Sequence, residues 1–162
     1  VLLYVQSRVV PDWGFLPQGY LADDGWENPA VKSVDKAYSS LTAGRVLRFR
    51  LRANPTRKID TKSGPNGEKR NGRRVPLGSA EAQIAWLARK GAEHGFDLLE
   101  AHVSASGAAE LIQSHSTGRT FQAVLFEGRL VVRDPVRFRA ALERGIGPGK
   151  AYGCGLLSIG PA

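Results

Sequence analysis

Gly145-Ile-Gly-Pro-Gly-Lys-Ala-Tyr-Gly-Cys-Gly155 lies between a predicted helix and the last predicted strand, Leu156 to Ile159, and the other elements fall into order around it. Five glycines, Lys150 and Tyr152 share this one loop. Glycine tolerates positive φ and leaves main-chain N–H groups uncovered, and successive exposed N–H groups form a concavity suited to a phosphate. Lys150 adds a point charge. A Walker-type loop is excluded, because Arg144 stands where its first glycine belongs and Ala151 where Ser or Thr must follow the lysine. A dinucleotide fingerprint fails as well, since the sixth position from Gly145 is Lys150 and from Gly147 is Tyr152. The plain alternative is a helix that ends at Gly145 and runs into an ordinary connection.

Upstream of the loop, Asp134-Pro135 supplies a cap and a first-turn proline for a helix that puts Phe138, Ala141 and Leu142 on one face and stops at Gly145. Ser79 caps an earlier helix, with Glu81 in its first turn, Ile84, Leu87, Ala88 and Gly91 on its core face, and Gly95 at its end. Phe96 to Val103 reads as a strand. Glu110 to His115 and Thr120 to Phe126 read as a hairpin whose tip carries Arg119, and Glu127-Gly128 as a tight turn into a strand over 129–133. From residue 73 onward the order is strand, helix, strand, strands, helix, strand, the β-α-β-β-α-β pattern of a ferredoxin-like domain with an added hairpin.

Toward the N-terminus, Arg45 to Asn54 is the clearest strand. Leu47, Phe49 and Leu51 alternate with Arg48, Arg50 and Arg52, so one face is core and the other either a guanidinium ladder for an anionic partner or a salt-bridged sheet surface. Pro55 stops it. The stretch to Leu77 reads as a linker rich in Lys, Arg, Gly and Asn; Arg57, Lys58, Lys62, Lys69, Arg70, Arg73 and Arg74 stand there against Asp60 and Glu68. Such an arm orders on an anion, and nucleic-acid contact is the reading we favour over a merely solvated loop. Val1 to Val10 is predicted as a strand, Asp12 to Leu16 as a single helical turn, and residues 17–43 as loop, with Trp13, Trp26 and Tyr38 as packing anchors. Because the sequence is strand-like from Val1 and contains no Met, we expect further sequence upstream.

The chain has 162 residues, 42% of them apolar, and a formal charge of +8, which suits a packed core and a polyanionic partner. Cys154 is its single cysteine, so an intrachain disulfide and a multi-thiolate zinc site are both excluded. The sequence shows neither a secretion signal nor an apolar run long enough to span a membrane, and we expect a cytoplasmic protein with no membrane partner.

Phe96-Asp-Leu-Leu-Glu, Gln122-Ala-Val-Leu-Phe-Glu-Gly-Arg-Leu, the segment from Arg144 through the glycine loop to Ser158, and Leu47-Arg-Phe-Arg-Leu-Arg-Ala-Asn-Pro together resemble the CasE family, the crRNA-generating endoribonucleases of type I-E CRISPR systems. The resemblance covers nearly the whole chain. It implies an α+β fold of tandem ferredoxin-like (RRM-like) domains, the first incomplete: 1–56 as the rear half of the first domain, 57–72 as a basic linker, 73–162 as the second. It implies binding and metal-independent cleavage of a CRISPR repeat RNA hairpin by 2′-hydroxyl attack, giving a 2′,3′-cyclic phosphate, with no cofactor and no metal. The product crRNA stays bound within Cascade beside its other subunits. The family's catalytic histidine sits in the first helix of the first domain and is expected upstream of Val1; of His94, His102 and His115, only His115 invites a test. RNA contacts are expected from Arg57, Lys58, Lys62, Lys69, Arg70, Arg73, Arg74 and Arg119 and from Gly147, Gly149, Lys150 and Gly153. Two other readings stay open, a noncatalytic ferredoxin-like subunit that grips an RNA hairpin and a basic assembly protein without RNA specificity.

Overall fold

The computed structural model describes residues 4–23, 25, 27–59, 73–104, 110–113 and 120–162. The chain divides into two units, Val1–Ser40 and Leu41–Ala162. The first carries one short helix, α1 (Asp35–Ser39), in the span read as loop. Tyr4–Val10 forms no strand, because it finds no ladder partner among the described residues to satisfy an extended backbone. Asp12 likewise does not cap a helix; its carboxylate accepts the Gly14 N–H at 2.8 Å in a local turn. Trp26 lies outside the described residues.

The second unit contains β1 (Val46–Ala53), β2 (Thr56–Ile59), β3 (Arg73–Pro76), α2 (Ala80–His94), β4 (Phe96–Val103), β5 (Glu110–Gln113), β6 (Thr120–Val132), α3 (Pro135–Arg144) and β7 (Leu157–Pro161). The main sheet runs β4-β6-β1-β7, every neighbour antiparallel, with β5 paired to β6 farther along; β2 and β3 form a separate hairpin. Taking β1, α2, β4, β6, α3 and β7 in chain order gives one complete ferredoxin-like domain.

That arrangement moves the expected domain boundary. β1, assigned from the sequence to a first domain, is a central strand here, pairing Leu47 with Leu130 and Phe49 with Gly128 on one side and Leu51 with Leu157 on the other. Its alternation is realised fully: Leu47, Phe49, Leu51 and Ala53 are buried, and Arg48, Arg50 and Arg52 are exposed. The linker assigned to 57–72 is in its described parts the base of a hairpin, inserted between β1 and α2 and closed by the Leu77 N–H donating to the Pro55 carbonyl at 3.0 Å. β3 belongs to that hairpin, not to the main sheet.

Helix α2 forms where its caps dictate. The Ser79 hydroxyl accepts the Ala82 N–H at 3.2 Å, and Gly95 at φ 80° returns its N–H to the Gly91 carbonyl. Its buried face is Gln83, Trp86, Leu87 and Gly91 rather than one through Ile84 and Ala88, because Trp86 stacks on Phe126 with ring centroids 6.3 Å apart and sets the helix rotation. α3 follows expectation: Asp134 accepts the Val136 and Arg137 N–H groups, and Phe138, Ala141 and Leu142 are buried, with Phe138 edge-on to Phe96 at 5.6 Å. Both helices therefore bury their apolar faces against the same side of the sheet, and the other side is left polar.

The turn expected at Glu127-Gly128 does not exist; β6 runs straight through it. Gly128 is there for spacing, since a Cβ on it would stand 2.1 Å from the Glu100 carbonyl oxygen of β4, where the β4–β6 register shifts. Among the described residues no helix is long and apolar enough to cross a membrane.

Candidate nucleic-acid interface

Two features of the second unit present cations and free backbone donors. The first is the β2–β3 hairpin. Its register sets Lys58 against Arg74, Arg57 against Val75 and Ile59 against Arg73. Like charges directly opposite each other weaken a strand pair. Arg74 is steadied by its Nη1 donating to the Thr56 hydroxyl at 3.3 Å, while Arg57 and Lys58 are exposed. The opposed pair makes this face of the hairpin cationic. Of the other residues expected here, Arg73 is placed by its backbone in β3, and Lys62, Lys69 and Arg70 lie outside the described residues, as do Arg119 and His115.

The second feature is the glycine loop. Its ends are tied down: the Ile146 N–H donates to the Gly155 carbonyl at 2.8 Å, and the Gly155 N–H to the Arg52 carbonyl of β1 at 2.7 Å. Ile146 and Cys154 are buried beneath it; burial holds the Cys154 thiol above its ordinary pKa, partly offset by Arg52. The Tyr152 N–H donates to the Gly149 carbonyl at 2.9 Å, closing one 3-10 turn over Lys150–Tyr152. Gly147, Gly149, Lys150 and Ala151 have N–H groups that donate to no backbone acceptor among the described residues.

The glycines of the loop separate by role. A Cβ on Gly147 would lie 2.9 Å from the Trp86 ring, so that glycine makes room for the helix side chain. Gly153, at φ 75°, has nothing within 4 Å of that position, and Gly149, at φ 87°, meets only ordinary contacts with Cys154 and Asn54. These two keep the loop surface open, whereas Gly147 serves packing. The Lys150 side chain folds back along Gly145 and Gly155. Burial above all, together with the Lys90 and Lys150 ammonium groups, lowers the His94 pKa below its ordinary value, against a smaller opposing effect of Glu93. The helix-end position, which by itself would favour imidazolium, is overridden.

Residues 1–161 match the family model described as CRISPR associated protein. Over 99% of its length the chain is 37% identical to the CRISPR-associated endoribonuclease Cse3 of Thermus thermophilus, covering 73% of that protein. The chain belongs to the CasE family. A second member, the CRISPR system Cascade subunit CasE of Escherichia coli K12, is 37% identical over 75% of this chain and 61% of its own length. Among solved structures, Thermus thermophilus Cse3 bound to an RNA representing a pre-cleavage complex superposes with a TM-score of 0.62 at 41% identity, covering 75% of this chain and 56% of that one. The chain thus spans little more than half of that solved CasE-family structure and about three fifths of the Escherichia coli relative.

Within the CasE-family fold, sequence reasoning missed the Lys58–Arg74 opposition, which depends on hairpin register, and the folding of the Lys150 side chain back along Gly145 and Gly155, which depends on the course of the loop. The alternating arginines of β1 were visible, but not their partners. Arg50 pairs with Glu127 of β6 at 3.2 Å, so at that position the salt-bridged sheet surface is the reading realised.

Proposed function

We propose that this chain binds a CRISPR repeat RNA hairpin and takes part in cutting it to crRNA. The observation that carries this reading is the 37% identity to an endoribonuclease of the family across 99% of the chain, joined to a fold shared with the RNA-bound Cse3 structure. The β2–β3 hairpin, with Arg57, Lys58, Arg73 and Arg74, and the arm it leads into, with Lys62, Lys69 and Arg70, grip the phosphates of the stem. A-form RNA is read mainly by shape and backbone, and an exposed cationic hairpin suits that mode. The glycine loop holds a further phosphate on the free N–H groups of Gly147, Gly149 and Lys150, with Gly153 keeping its surface open, and Arg119 adds a contact of its own.

In the chemistry we propose, the RNA 2′-hydroxyl attacks the adjacent phosphate without a metal, expelling the 5′-oxygen and leaving a 2′,3′-cyclic phosphate. The protein has to position the strand, move protons and offset charge on the phosphorane. We assign proton transfer to none of His94, His102 and His115. In the same reading Val1–Ser40 belongs to a first ferredoxin-like domain, and the protein acts in the cytoplasm, staying with crRNA as a Cascade subunit, as the name of the Escherichia coli relative describes.

The test is a labelled repeat hairpin incubated with the protein in EDTA. Binding is the expected result, and whatever cleavage occurs should leave a cyclic phosphate end and be abolished by a single 2′-deoxy substitution 5′ of the cut. Cleavage that survives the deoxy substitution, or that requires a divalent ion, overturns the mechanism; tight binding with no cleavage in either condition leaves a noncatalytic hairpin-binding subunit.

A further inference from the structure

The polar side of the main sheet holds a depression of about 700 Å³ that is lined by no described residue of the hairpin or the glycine loop. Two rows of side chains cross it. One runs Ser158, Arg50, Glu127, His102 and the other Gly160, Arg48, Arg129, Glu100, from β7 through β1 and β6 to β4. Both acids are already engaged: Arg50 Nε lies 3.2 Å from Glu127, and Arg129 Nη2 lies 2.9 Å from Glu100. Arg48 makes no ion pair with any described residue. It stands directly opposite Arg129 in the antiparallel register, an arrangement that costs stability in an empty sheet. On its other side the register partner is Gly160, which offers no side chain, and a Cβ there would meet nothing within 4 Å.

We propose that this depression is a second RNA site, in which Arg48, Arg129 and the Ser158 hydroxyl hold one phosphate of a single-stranded segment. The inference rests on reading the chain as an RNA-binding protein. The charge pattern leaves one unneutralised guanidinium beside a second one, and a phosphodiester with two free oxygens is an acceptor both can share. The volume is that of a pocket for a whole nucleotide. Phe49 and Phe126 are buried in the core, so the site reads backbone rather than stacking bases on those rings. Ion pairing of Arg50 and Arg129 with their glutamates fixes the floor of the site and leaves Arg48 as the charge-determining group.

The experiment follows the arginine Nε–Hε and the Ser158 and Gly160 amide signals of the isotope-labelled chain by NMR during titration with pentauridylate, with inorganic phosphate, and with chloride at matched ionic strength. Saturable movement of these signals with pentauridylate and with phosphate, but not with chloride, is expected. Arg48→Ala should weaken the pentauridylate response about tenfold. Gly160→Glu, which places an acid beside Arg48 in open space, should abolish it in a folded chain. A blunt-ended repeat hairpin, having no single strand to place there, should bind both variants within about twofold of the parent. Signals that stay still, that move equally in Gly160→Glu, that follow chloride, or that respond to phosphate and not to pentauridylate overturn the proposal. Failure of the parent chain to bind the blunt hairpin strikes the hairpin-binding reading instead, and leaves the outcome at Arg48 to be judged on its own signals.

Discussion

Lys58 and Arg74 face each other across the β2–β3 hairpin, and among the described residues neither is paired with an acid. The opposed cations repel each other in the folded chain, and under the proposed function a bound phosphate would relieve that repulsion. Replacing Lys58 by Glu should reverse the sign of both effects. The free chain gains roughly 0.2–1 kcal/mol from the new cross-strand pair, seen as a higher urea midpoint, while hairpin RNA binding weakens. A variant that loses stability and keeps its affinity would remove this hairpin from the interface.

The same hairpin should dominate the salt dependence of binding. Neutralising Arg57 and Arg74 together is expected to flatten the slope of log affinity against log salt by about 0.7 to 0.9 for each phosphate that the protein no longer neutralises. A filter-binding titration across salt concentrations checks this, and an unchanged slope counts against both residues.

Gly147 and Gly153 should respond differently to the same substitution. Both have positive φ, so alanine costs roughly 1–2 kcal/mol at either. At Gly147 the added Cβ also collides with Trp86, so that variant should be the less stable of the two in urea unfolding. At Gly153 the added methyl faces open space, and Gly153→Val should lower RNA affinity by covering the loop surface while the chain stays folded.

His94 sets a pH dependence of stability. Its folded pKa is lowered, so below the ordinary value near 6.5 the unfolded chain binds the proton more readily than the folded one. Stability should accordingly fall as pH drops from about 6.5 through the folded pKa, and this contribution should be fully present above 6.5. Denaturation at pH 7.5 and 5.5, compared between the parent and His94→Gln, reads the effect: the variant should lose less stability on acidification. An equal loss in both would show that the imidazole is not held neutral by its surroundings.

Gly128→Ala should be the most damaging of these single changes. The methyl would have to displace the Glu100 backbone, parting β4 from β6 along their shared ladder, and a loss of about 3 kcal/mol or more is expected from calorimetry.

The contrast between Gly128 and Gly95 shows what the sequence could reveal. Gly95 ends a helix for a local reason, a left-handed C-cap after an amphipathic run, and it was legible. Gly128 answers to a carbonyl of another strand, that of Glu100, and locally Glu-Gly looks like a turn. The alternation of β1 was equally plain, yet its neighbours were not, because pairing with β6 and β7 is decided by residues far along the chain. Pro55 and the glycines after it hid a hairpin inside what composition describes as a linker. At the candidate interface, the residue types were readable and the oppositions among them were not.

The hydrogen bond from Leu77 to Pro55 gives the basic arm a narrow neck: the chain leaves the domain and rejoins it at nearly one point. Lengthening, shortening or exchanging everything beyond that neck leaves the strand order of the main sheet untouched. The arm can thus diverge in length and charge at a pace independent of the body that carries it, as a tool bit changes while its handle does not.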